Sequence, residues 1–204
     1  MAISNTSICN MALDKLGAGQ INDLDSGEST EAIKCRTHFE QTRDALLRSY
    51  WWGFATARVD LSAHVDTPAF EWDYQYSLPD DFLRMKAIYE DGITNINYRN
   101  YAIEGDLLLT NESSMSIKYI KRVTDPTKFD ELFTETLILK LALKLIALAG
   151  SDPKIINVIS TELRVIEQDA RAVNGQEINT DGIIESSTWN DARFSGRSND
   201  PGRY

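Results

Sequence analysis

Cys35 and His38 stand one helical turn apart, and Cys9 is the only other cysteine of the chain. Thiolate and imidazole are zinc ligands, but a zinc site needs a fourth ligand and usually paired spacings, which this sequence lacks. His38 and His64 are the two histidines. Neither lies in a motif that would set it beside a serine nucleophile and an orienting carboxylate. Gly17-x-Gly19 has no third glycine and follows a helical pattern, so it is no dinucleotide loop, and no Gly-Lys-Ser/Thr phosphate loop occurs. Carboxylates are plentiful: Asp23, Asp25, Glu28, Glu31, Asp80, Asp81, Glu90 and Asp91. A glycosidase needs only two, held about 5 to 9.5 Å apart, so polysaccharide hydrolysis stands as an alternative reading. On an acidic chain, carboxylates are ordinarily solvated surface. No catalytic residue, cofactor or metal ligand is therefore expected. Two aromatic clusters remain, Tyr50-Trp51-Trp52-Gly53-Phe54 and Trp72-Asp73-Tyr74-Gln75-Tyr76. Such rings can stack on sugars or bases. At a helix-to-strand junction they more often form core and pin a sheet to helices.

The elements that position these residues are organised around Phe133 to Ala149, the longest apolar stretch. Leu137, Leu141, Leu145 and Leu148 share one face, and Ile138, Leu139, Ala142, Leu143 and Ile146 cover most of the rest. A helix apolar nearly all round must be buried on several sides. Lys140 and Lys144 interrupt the run one turn apart, so a core helix is expected rather than a membrane span. Thr6 or Ser7 can cap a first helix running to Leu16, with Gly17 as its stop. Ser29 caps a second, which runs to about Tyr50. From Ala55 the period changes to two: Ala55, Ala57, Val59 and Leu61 read as a half-buried strand. Strand-like pieces follow at Leu83–Tyr89, Ile93–Tyr98, Asp106–Thr110 and Met115–Ile120, separated by turn signals such as Asp91-Gly92 and Glu104-Gly105. Asp125-Pro126 supplies a cap and first turn for the apolar helix, and Gly150 ends it. Asp152-Pro153 opens a last helix to about Val173, with Asn174-Gly175 as its stop.

The expected fold class is α+β. Residues 1–53 and 125–175 form an antiparallel four-helix bundle, 54–124 a small inserted antiparallel β-sheet subdomain, and 176–204 an extended C-terminal tail. The tail is rich in Ser, Asn, Asp, Gly and Arg and cannot bury enough apolar area to fold alone. Its scattered Ile183, Ile184, Trp189, Arg193, Phe194, Arg197 and Tyr204 are the residue types that carry hot spots in docking segments.

The chain has 204 residues, is 42% hydrophobic and 25% charged, and carries a formal net charge of −10. That charge repels phosphate backbones, and no dense Lys/Arg cluster offsets it, so tight nucleic-acid binding is not expected. Two cysteines make no disulfide framework. The N-terminus, MAISNTSICN, has neither a basic nor an apolar region of the secretory kind, so synthesis in the cytoplasm is expected.

One series of residues carries a resemblance. Cys35-x-x-x-Phe39, Arg43 and Leu46-Leu47 lead into Trp52-x-Phe54-Ala55 and Arg58-x-x-Leu61. The most specific piece is Trp72-x-Tyr74-x-Tyr76-x-Leu78-Pro79-x-Asp81-x-Leu83-Arg84. Glu104-Gly105 with Leu108-Leu109-Thr110, Tyr119-Ile120 and Asp125-Pro126-x-x-Phe129-Asp130-x-x-Phe133 complete it. Over residues 6 to 173 the chain resembles the tail tubular protein A family, the head-to-tail connector or adaptor proteins of short-tailed bacteriophages. It departs at Trp51, where the family usually has Pro, and after Gly175, where no family pattern matches.

The resemblance implies a structural virion protein at the head–tail junction rather than an enzyme. Copies would form a ring, typically of twelve, that joins the capsid portal to the tail and continues the DNA channel. Implied partners are the portal protein, neighbouring copies and downstream tail (nozzle) proteins, with genomic DNA only passing through and no membrane involved. The tail is then the expected portal-docking arm. The alternatives are a virion-associated polysaccharide hydrolase, resting on carboxylates near the aromatics, and a tail completion or stopper protein of a long-tailed phage, which is of the same structural class.

Overall fold

The computed structural model describes residues 3–90, 93–94, 100–150 and 152–177. Four α-helices are present: α1 (Asn5–Lys15), α2 (Thr30–Ser49), α3 (Glu131–Lys144) and α4 (Pro153–Glu177). Seven strands lie between α2 and α3: β1 (Thr56–Leu61), β2 (Tyr74–Ser77), β3 (Phe82–Glu90), β4 (Ile93–Thr94), β5 (Tyr101–Glu104), β6 (Leu107–Thr110) and β7 (Met115–Lys121).

The cap of α1 is Ser4, earlier than Thr6 or Ser7. The Ser4 hydroxyl accepts from the Ser7 N–H at 3.0 Å, and the Ser7 hydroxyl accepts from the Ser4 N–H at 2.8 Å. This reciprocal pair satisfies two otherwise orphan donors. Ile8, Cys9, Ala12 and Leu13 form the buried stripe of the helix. Ser29 caps α2 through the Ala32 N–H. The acidic loop between the two helices is held down by Asn10, whose amide both accepts from the Ile21 N–H (2.8 Å) and donates to the Ile21 carbonyl (2.9 Å).

The apolar run divides differently from its sequence pattern. Asp125-Pro126 caps only a short 3-10 turn, Pro126–Lys128. The cap of α3 is Asp130, whose carboxylate accepts from the N–H groups of Leu132 (2.9 Å) and Phe133 (3.1 Å). After Lys144 the chain tightens into a 3-10 turn, Ile146–Ala149, which ends at Gly150 in the left-handed conformation (φ 65°). Leu137, Leu141 and Ala142 are wholly buried. Full burial of a leucine stabilises by about 1.5–3 kcal/mol, so α3 is the main apolar contributor to the core.

The four-helix bundle is not what these helices form. α1, α2 and α4 each pack on α3, while α1 touches α2 little and neither packs extensively on α4. A bundle needs four helices with one apolar stripe each. Here one helix apolar over most of its circumference acts as an axle, and three unequal helices lie against it. α4 also runs beyond its expected stop. Asn174 is buried: its amide donates to the Ala170 carbonyl (3.1 Å) and its oxygen accepts from the Gly53 N–H (3.2 Å). It ties the helix to the start of the sheet region rather than ending it.

The strands form two antiparallel sheets rather than one, in the orders β1-β7-β3-β4 and β2-β6-β5. β1 pairs with β7 from Thr56↔Ile120 to Leu61↔Met115. β3 lies on the other side of β7, with register breaks between Phe82 and Arg84 and between Met85 and Ala87. The second sheet pairs Tyr76↔Leu108 and Ile103↔Leu108. Tyr76, Leu78 and Leu108 from this sheet share a small core with Ile88, Met115, Ile117 and Tyr119 from the first. Ala55, Leu83, Ile120 and Val123 belong instead to the large core under the helices. β7 thus serves both cores from opposite faces, as its period of two allows.

Candidate interaction surfaces

Part of the motif series meets at the joint between helices and sheets, while Tyr76, Leu78, Leu108 and Tyr119 lie in the small core between the sheets. Trp52 is buried, and its indole N–H donates to the Leu46 carbonyl at the end of α2 (3.0 Å). Its ring meets Phe133 edge-on at 5.0 Å and 87°, and Tyr50 at 5.6 Å and 78°. Phe54 and Phe129 close around Phe133 at 5.1 and 4.9 Å. Five aromatic rings from two segments, 50–54 and 129–133, therefore form one cluster at the cap of α3. Beside it, α2 and β3 exchange bonds. Arg48 donates to the Leu83 carbonyl (2.9 Å), and Arg84 donates to the Arg48 carbonyl (3.2 Å) while its guanidinium lies 3.9 Å from the centre of the Trp51 ring. Such a stacked cation is worth about 0.5–1 kcal/mol at a partly exposed site.

Asp81 anchors the β3 end. Its carbonyl accepts from the Arg122 N–H (2.6 Å), and its carboxylate accepts from the Tyr119 hydroxyl (2.9 Å). Burial, aided by that carboxylate, pushes the Tyr119 phenol up to about 12. Arg122 in turn donates to Asp44 of α2 at 2.8 Å, and Asp44 also pairs with the buried Arg43 at 2.9 Å. Tyr76, Leu78 and Leu83 are buried. The Pro79 carbonyl accepts from the Phe82 N–H (2.9 Å) and turns the chain into β3. Trp72 is half-buried, and Tyr74 is largely exposed on β2. The Trp72–Arg84 run is therefore mostly packing, apart from Tyr74. Ile183, Ile184, Trp189, Arg193, Phe194, Arg197 and Tyr204 lie outside the described residues.

The candidate chemical groups are dispersed. Cys9 and Cys35 are buried together between α1 and α2. A hydrogen bond with Cys35, then burial, pushes the Cys9 thiol well above its ordinary value, which makes it unreactive. His38 lines a groove with Gln41, Lys140 and Lys144, away from that core. His64 Nδ1 accepts from the Asp66 N–H (3.2 Å) in the loop before β2. Asp23 accepts from the Ser26 N–H and hydroxyl, which hold its carboxyl below the usual range. That is the wrong direction for a general acid. Among the described residues no cluster of three or more metal-binding side chains forms.

Two exposed apolar features were not singled out from the sequence. In the loop between β1 and β2, Val65 is 96% and Phe70 80% exposed. The signal that would have marked Phe70 is an aromatic between Ala69 and Glu71 in a loop that also carries Asp66 and Asp73. The second is an open groove of about 850 Å³ where α1, α3 and α4 meet, with Met11, Ile138 and Ile166 along it and Asp14, Glu131 and Glu135 at its rim. No family model matches the chain, and no curated protein matches it. No helix among the described residues is long and apolar enough to cross a membrane.

Proposed function

We propose that this chain is a structural virion protein that connects the capsid portal to the tail and continues the DNA channel, in a ring of about twelve copies. The observation that carries the reading is the ordered motif series from Cys35 to Phe133, with its resemblance to the tail tubular protein A family. Its residues supply the aromatic cluster around Phe133 and the Arg48–Arg84 exchange, contacts that fix the sheets against the helices. A connector must hold two such parts in register while bearing load, so a motif spent on the joint suits that task. The acidic surface suits a channel that DNA crosses without binding. The exposed Val65 and Phe70 supply apolar contact for tail proteins, and 176–204 is the arm for the portal.

The test is native mass spectrometry of the full chain mixed with the portal protein encoded near it. The expected result is a complex with a full ring of copies on one portal. No complex between two folded partners refutes the reading. A chain lacking 176–204 should remain folded and lose the portal, and retained binding refutes the arm.

A further inference from the structure

α4 has more apolar surface than its packing uses. Ile159, Ala170 and Asn174 are buried on the side that faces α3. On the opposite side Val158 is 65% and Val165 53% exposed, and Ala172 follows at the same seven-residue spacing. Seven residues are almost two turns, so the three lie in one line. Arg164 and Arg171, also seven apart, form a second line beside it, and both are exposed. Neither Arg164, Arg171 nor the exposed Lys154 makes an ion pair among the described residues. The outward face of α4 therefore carries an apolar line, broken by the exposed Asp169 between Val165 and Ala172, together with two arginines and a lysine that make no ion pair among the described residues.

The groove between α1, α3 and α4 has the complementary character. Met11 is 43% exposed in it, and Ile138 and Ile166 lie beneath. Its rim carries Asp14, Glu131, Glu135 and Glu162 against one cation, Lys15, which is spent on Glu162 at 2.5 Å. Asp14 accepts from the Gln20 amide at 3.0 Å and makes no ion pair among the described residues. Glu131 and Glu135 are exposed and make no ion pair among the described residues. An apolar trough with acidic walls is the shape and charge that an amphipathic basic helix fills. The loop carrying Phe70 suits it poorly, because Asp66, Glu71 and Asp73 would meet like charge.

We infer that the outward face of α4 of one copy docks in the α1–α3–α4 groove of the next, with Val158 and Val165 against Met11 and Ile166 and with Arg164 and Arg171 against Glu131 and Glu135. The two patches differ, so the contact is head-to-tail, the kind that closes into a ring when its rotation allows. The inference rests on the proposal that copies stand side by side, but it is tested without a portal.

The experiment is sedimentation velocity of the full chain from micromolar to millimolar concentration, with a groove variant (Glu131→Gln with Glu135→Lys) and a face variant (Arg164→Glu with Arg171→Glu). Glu131 is only neutralised, because a lysine in the first turn of α3 would oppose the helix dipole. All the substituted positions are exposed, and circular dichroism checks that each variant is folded. The wild type should associate, and like charges should weaken each variant alone by about a hundredfold. Mixed, the two variants should associate again, since the intact face of the groove variant meets the intact groove of the face variant, and in the other contact Arg164→Glu and Arg171→Glu bring carboxylates to the cation of Glu135→Lys. Wild type monomeric throughout, variants that associate like wild type, or a mixture that associates no better than either variant alone each overturn the inference. A third full-chain variant, Arg193→Glu with Arg197→Glu, should associate normally; if it alone fails, the C-terminal arm occupies the groove instead of α4. Failure here with a ring still forming on the portal would leave the connector reading intact and move the contact elsewhere.

Discussion

Replacing Trp52 by alanine tests whether the aromatic cluster is what joins the helices to the sheets. Trp52 is 2% exposed, and it touches Phe133, Tyr50 and Phe54. Truncating a buried Trp to Ala ordinarily costs about 3–5 kcal/mol. The edge-on contacts with Phe133 and Tyr50 contribute about 0.5–1.5 kcal/mol each beyond area, part of which that range already contains. The lost indole bond to the Leu46 carbonyl adds about 1 kcal/mol. It adds no more, because the Leu46 carbonyl keeps the Ser49 hydroxyl at 2.7 Å and is not orphaned. The expected loss is about 5 kcal/mol, as large as the whole stability of many domains.

The assay is equilibrium urea unfolding followed by circular dichroism. Trp52→Phe should cost only about 1–2 kcal/mol, since it loses the hydrogen bond but keeps a ring against Phe133. If Trp52→Ala is already unfolded in water, the Phe variant carries the comparison, together with a double-mutant cycle with Phe133→Leu. That cycle should show about 0.5–1.5 kcal/mol of coupling. A Trp52→Ala cost below about 2 kcal/mol would refute the reasoning, as would Phe being as damaging as Ala.

Other perturbations isolate single causes. The Tyr119 phenol is raised to about 12 in the folded chain, above its unfolded value, so the unfolded chain loses its proton first. The associated stability is intact below about pH 10 and is lost as the pH rises towards 12, on the order of 2–3 kcal/mol. Tyr119→Phe should flatten that alkaline limb in pH-dependent melts; an unchanged limb would place the effect elsewhere. A Cβ on Gly27 would lie 2.4 Å from the Asp23 carbonyl oxygen and 2.7 Å from the Ala32 Cβ, so Gly27→Ala should cost about 1–3 kcal/mol by steric conflict. Gly150 has φ +65° and open space around it, so Gly150→Ala should cost about 1–2 kcal/mol by backbone strain alone. Thermal melts that rank Gly150→Ala as neutral would contradict the left-handed cap. Asp130→Ala should cost about 1 kcal/mol and Asp125→Ala less, because only Asp130 caps an α-helix. The reverse order would restore the longer helix read from the sequence.

What the sequence revealed depended on whether the deciding contact was local. Ser29, the period-two run to Leu61 and Gly150 are local signals, and each marks its element. The start of α3 was misread because Asp125-Pro126 is the stronger signal in composition, whereas Asp130 shows itself only through its bonds to Leu132 and Phe133. Asn174-Gly175 looks like a stop, and only the distant Gly53 N–H explains why Asn174 sits inside a helix. β2 and β5 are four residues each and were missed, since their support comes from β6 across the sheet. The division into two sheets depends on the same long-range pairing. Of the motif residues, aromatic identity suggested the joint, but nothing in spacing could show that Arg48 and Arg84 exchange carbonyl bonds.

The axle arrangement bears on function in a way a bundle would not. In a four-helix bundle each helix spends its one apolar stripe inward and presents a polar outside. Here α3 is apolar over most of its circumference, with Glu131, Glu135, Lys140 and Lys144 as its polar remainder, so it supplies core to three neighbours at once. α4, held along one side by Ile159, Ala170 and Asn174, is left with Val158 and Val165 on its outside. α1, only eleven residues long, leaves the trough beside it unfilled. Both patches follow from the same cause, a central helix too apolar for a bundle and too short of partners to be closed in by one chain. Solvating α4 fully would need polar residues at 158 and 165, at no cost to its packing on α3. Valine at both positions, next to arginines that make no ion pair among the described residues, is what the proposed contact between copies would cover.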